Sequence, residues 1–117
     1  MKKHDLNLFN DMKMELVEDL AIAYEQQAKR FNLSPTLPLQ LFDNAVTEVT
    51  TTFKRLLAVH PTQFRETLFR IAVVSIASVP ALAVVDERYA FALALSAVAT
   101  EYQPKRPTPT ARLQVVA

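Results

Sequence analysis

The feature that most constrains this 117-residue chain is an absence: it contains no glycine. Average usage near 7% would place about eight in a chain of this length. Glycine enters positive φ without steric cost and lets a backbone approach a phosphate closely. P-loops, dinucleotide-binding turns and kinase-type loops all need it at fixed positions, so none of them fits this chain. The strained elbow that presents a serine nucleophile in α/β-hydrolases has the same requirement. Tight β-hairpins depend on glycine or Asn-Gly, and no such pair separates alternating segments here. A set of helices is what remains, punctuated by Pro35, Pro38, Pro61, Pro80, Pro104, Pro107 and Pro109.

Apolar spacing places those helices. Over residues 6–31, Phe9, Met12, Leu16, Leu20, Ala23, Tyr24, Ala28 and Phe31 recur every three or four residues, with charged side chains largely elsewhere. Acids gather in the first half of this stretch and Lys29 and Arg30 stand at its end, which suits the helix dipole; Glu25 and Lys29 form an i,i+4 pair, and Asn32 is the natural stop. A second helix is expected to start near residues 34–36 and run to about 60, with Leu39, Phe42, Val46, Val49, Phe53, Leu56 and Leu57 as its apolar stripe. Residues 46–52, VTEVTTT, are mostly β-branched and suit a strand by propensity. The 3,4 spacing runs across them, and pattern outweighs propensity, so helix is the expectation. A third helix is expected from residue 61 or 62 to about 78; its second half is apolar nearly all round, which marks it for the centre of the bundle. Phe53, Leu68, Ile71, Ile76, Phe91 and Leu95 are the expected core.

The stretch VPALAVVDERYAFALALSAVA, 79–99, sets the charged clip Asp86, Glu87, Arg88 between two apolar runs. A single helix over residues 80–102 would align Ala83, Glu87, Ala90, Ala94, Ala97 and Glu101 on one face. Val84, Arg88, Phe91, Leu95, Val98 and Tyr102 then form a bulky one. The competing reading, in which Asp86 caps a new helix, leaves PALAVV as an apolar loop with few side chains to satisfy its backbone. The continuous helix is therefore expected, with the stem of Arg88 packed and its head in water. Ala90, Ala94 and Ala97 are small enough to admit a second helix, most simply that of a two-fold mate.

Together these readings predict an all-α, single-domain bundle of four helices over residues 1–102, followed by an extended tail over 103–117. The tail is proline-rich and basic, through Lys105, Arg106 and Arg112, and it carries apolar Leu113, Val115 and Val116. It reads either as a frayed terminus or as a docking strap for a groove on a partner or on a dimer mate.

Chemistry is sparse. There is no cysteine, hence no disulfide framework or thiol nucleophile, and the two histidines, His4 and His60, have no metal-binding spacing. Glu15, Glu18 and Asp19 cluster without the Glu-x-x-His partners of a di-iron bundle and read as a solvated face. No cofactor is expected. The opening residues lack the apolar core of a signal peptide. The uncharged runs 71–85, broken by Pro80, and 89–100 fall short of the roughly 18 to 20 residues of a spanning helix, so a cytoplasmic, soluble protein is expected.

The charge is uneven. Residues 1–50 carry five basic and eight acidic side chains, net −3, and residues 51–117 carry eight and four, net +4. The leading expectation is a non-enzymatic protein-interaction module, an adaptor, inhibitor or assembly factor acting as a homodimer. Its contact residues would be Ala90, Ala94, Ala97, Lys105, Arg106, Arg112, Leu113 and Val115. The alternative is a nucleic-acid-binding accessory factor using the basic half, with Lys54, Arg55, Arg65 and Arg70 near one another. A membrane-inserted helical hairpin ranks last.

Overall fold

The computed structural model describes residues 2–79 and 85–102. Four α-helices carry the chain: α1 (Lys3–Arg30), α2 (Leu39–Val59), α3 (Arg65–Ile76) and α4 (Glu87–Tyr102), with no strand among the described residues. They form an antiparallel bundle. Phe53, late in α2, meets Phe9, early in α1, with ring centroids 5.4 Å apart. Arg65 at the start of α3 returns to Asp5 at the start of α1, whereas Tyr89 at the start of α4 packs edge-on against Phe31 just beyond the end of α1. α1 is the spine: α4 lies along its second half and the α2–α3 pair over its first half.

The missing glycine has its clearest consequence where α1 stops. Asn32 takes φ 58°, and it is the only non-glycine residue with positive φ among the described residues. The amide of Leu33 donates to the carbonyl of Ala28 at 2.8 Å and that of Asn32 to Lys29 at 3.3 Å. This is a Schellman cap, with Asn in the left-handed position that glycine usually fills. Asparagine tolerates that region better than other side chains, so the chain ends its longest helix there without glycine.

VTEVTTT is helical throughout, as the spacing predicts. The hydroxyls of Thr47, Thr50 and Thr51 donate to the carbonyls of Asp43, Val46 and Thr47 at 3.0, 2.7 and 3.1 Å, respectively. Each threonine thus satisfies its own polar group on the preceding turn. Apolar side chains recur every three or four residues through this stretch, and Phe42, Ala45, Val49 and Phe53 are buried.

Three of the expected elements need correction. α2 begins at Leu39, with Pro38 at its N-cap, and not near residues 34–36. α3 begins at Arg65, because residues 61–64 form a turn held by the Arg65 guanidinium, which donates to the carbonyls of Pro61 and Gln63 at 2.9 and 3.1 Å. It ends at Ile76. Nor is α3 enclosed on all sides: Leu68, Phe69, Ala72 and Val73 are buried, but Ile71 is 39% exposed and Ile76 only half-buried, since the bundle covers a single face. Phe53, Leu68, Phe91 and Leu95 do lie in the core.

The third correction concerns the charged clip. α4 starts at Glu87, and no helix runs continuously from residue 80: Val85 and Asp86 precede the first helical residue, and residues 80–84 lie outside the described set. The Asp86 carboxylate accepts from the amides of Arg88 at 3.0 Å and Tyr89 at 3.2 Å. These are donors that no helix carbonyl can reach, and satisfying them outweighs continuing the turn backward. Arg88 turns away from the core; its side chain is 78% exposed and its guanidinium reaches Asp86 at 3.1 Å. The hydrogen bond from Arg88, reinforced by the Tyr89 amide, holds the Asp86 carboxyl below its ordinary range.

Candidate interaction surface

The alanine face of α4 divides once its neighbours are in place. Ala90 and Ala94 are fully buried within the chain. They lie in the core of the monomer, where their lack of bulk lets α4 settle against the rest of the bundle, and they have no surface to offer a second molecule. The expectation that they meet a symmetry mate is corrected accordingly. Ala97, one turn further on, is exposed.

Ala97 lines an open groove of about 420 Å³ between α1 and α4, together with Asp19, Ile22, Ala23 and Gln26 of α1 and Val98 and Glu101 of α4. Its floor is apolar and small-sided. Its α1 wall carries Ile22, 61% exposed, and Met14, 64% exposed, stands two turns earlier on the same helix. Met14, Glu18 and Ile22 follow one another at spacings of four and so form a single ridge. Sequence reasoning passed over Ile22, which lies off the buried stripe of α1; with Met14 on the same ridge it forms apolar surface that the core does not cover.

One end of the groove is acidic. Asp19 and Glu101 line it, and the hydroxyl of Tyr102 donates to the Asp19 carboxylate at 3.2 Å. Burial, then the negative charge and hydrogen bond of Asp19, push the Tyr102 phenol far above its ordinary range, so it stays protonated as the donor. The Arg70 guanidinium stacks over the same ring at 5.3 Å. None of the three ion pairs among the described residues involves Asp11, Glu15, Glu18, Asp19 or Glu101.

The basic residues expected to gather for nucleic acid are already engaged in part. Arg65 is bound to Asp5 at 3.0 Å, and its hydrogen bond holds the Asp5 carboxyl below the usual range. Arg70 faces α4, while Lys54 and Arg55 are exposed on α2. His4 and His60 are exposed, and no group of three or more histidines, aspartates or glutamates among the described residues is placed to hold a metal ion. Lys105, Arg106, Arg112, Leu113 and Val115 lie outside the described residues. No helix among the described residues is long and apolar enough to cross a membrane.

No protein-family model, curated protein or solved structure matches this chain.

Proposed function

We propose that this protein is a non-enzymatic interaction module that acts as a homodimer, with the α1–α4 face around Ile22 and Ala97 as its contact surface. The observation that carries this reading is the groove itself. A small-sided apolar floor beside an isoleucine 61% exposed is the kind of surface that a partner, rather than the monomer's own core, covers. Two-fold pairs are the commonest assemblies, so a second copy of the chain is the simplest molecule to cover it. The recognition is apolar at the centre, where Ile22, Ala23, Ala97 and Val98 meet, and polar at the rim, where Asp19, Gln26 and Glu101 stand.

Static light scattering over a concentration series tests this. The expected result is a mass near twice 13.2 kDa for the wild type and near 13.2 kDa for Ile22→Asp. Both proteins should share one far-ultraviolet circular dichroism spectrum, because Ile22 contributes little to the monomer core. A wild type that stays at 13.2 kDa across the series would overturn the homodimer.

A further inference from the structure

We infer that the groove between α1 and α4 is the docking site for the chain's own segment 103–117. The inference rests on the interaction surface proposed above, but not on the homodimer.

Charge complementarity is the first argument. Segment 103–117 contains Lys105, Arg106 and Arg112 and no acidic side chain. The groove offers Asp19 and Glu101 and no cationic side chain. Glu15 is near enough to act electrostatically on Tyr102, so the acidic field extends along α1 beyond the groove's end. Positive charge brought there meets carboxylates that have no ion-pair partner among the described residues.

Apolar content is the second. Leu113, Val115 and Val116 need a small-sided apolar surface, and Ile22, Ala23, Ala97 and Val98 provide one. A branched side chain fits beside alanine where it would collide with leucine or phenylalanine, which gives the exposure of Ala97 its meaning.

Position along the chain is the third. The segment starts immediately after Tyr102, and Glu101 is itself part of the groove wall. Tethered at the rim, the segment meets the groove at an effective concentration in the millimolar range for a short linker, so modest contacts suffice to hold it. Fifteen residues of proline-rich backbone reach about 45 Å at ~3.1 Å per residue, well beyond the span of the groove. The same segment can therefore seat in its own groove or in that of a mate.

The chain has no cysteine, which makes the test clean. Full-length protein carrying Ile22→Cys and Leu113→Cys is oxidised in a glutathione buffer, beside a control pairing Leu113→Cys with Glu48→Cys on the exposed face of α2. Docking predicts disulfide formation about tenfold faster for the Ile22 pair than for the control. Adding Lys105→Glu and Arg106→Glu, or raising the salt, should slow it toward the control rate. A product running at monomer mass places the segment in its own groove, and one at dimer mass places it in a mate's; either supports the docking. Equal rates at the two positions would overturn it, and so would a preference for Ile22 indifferent to both salt and the charge reversals. A monomeric wild type in light scattering removes the homodimer alone, so the two proposals fail separately.

Discussion

Asp86 is where one carboxylate decides the local structure. Its Oδ1 takes two amides of the first turn of α4, and its Oδ2 takes the guanidinium of Arg88 at 3.1 Å. Because those bonds are stronger to the ionised form, the folded chain holds this carboxyl below its value in the unfolded chain. The contribution is therefore complete above the ordinary aspartate value of about 3.9 and is lost as pH falls through the lowered one. Asp86→Ala should lower the melting temperature at pH 7, and the gap from wild type should shrink steadily below about pH 4. Thermal melts by circular dichroism at a series of pH values check this, and a gap that does not change with pH would show that the cap is not ionic. Asp86 was readable as a capping residue in the sequence. What hid it was its setting: an apolar run on both sides preserves a three-and-four spacing across Val85 and Asp86, which are not helical, because the spacing records which side chains are apolar and not where the backbone turns.

At the scale of the element, α2 was legible despite its β-branched stretch and α3 was not. Through the middle of α2 period and burial agree, and Phe42, Ala45, Val49 and Phe53 are buried in order, whereas Leu39 and Val59 at its two ends are exposed. The second half of α3 is apolar all round. Such a pattern leaves its buried face undetermined, and the bundle covers Leu68, Phe69, Ala72 and Val73 while Ile71 stays 39% exposed. The threonines of α2 are a cost carried for reasons that helix formation does not supply. Thr47 and Thr51 are exposed, and their hydroxyls donate only to their own helix at 3.0 and 3.1 Å. Replacing either with alanine should stabilise the protein by about 0.5 kcal/mol, the propensity difference at an exposed helical site. Urea titration of Thr47→Ala, Thr51→Ala and the double variant measures it. A destabilising result would mean that these hydroxyls serve a contact beyond the helix.

The whole molecule is held by contacts that no local pattern contains. Phe9, Phe53 and Phe69 meet from three helices with centroid separations of 5.4, 5.4 and 6.1 Å, joining the first half of α1 to the α2–α3 pair. Phe53 is fully buried at their centre, and Phe53→Ala should cost roughly 3 to 5 kcal/mol in chemical denaturation. Asp5 with Arg65 and Asp19 with Tyr102 join residues 60 and 83 positions apart. Their residue types were visible beforehand and their pairing was not, since it depends on how the helices pack. The same holds for the alanines of α4. Their spacing announced a face made for close approach, but only packing separates Ala94, which the monomer covers, from Ala97, which it leaves open. Matched arginine substitutions test that division, with thermal melts and light scattering on each variant. Ala94→Arg forces a charge into the core and should collapse the cooperative melt. Ala97→Arg should melt like the wild type and yet run at monomer mass. A dimer that survives Ala97→Arg, or a fold that tolerates Ala94→Arg, would contradict the account.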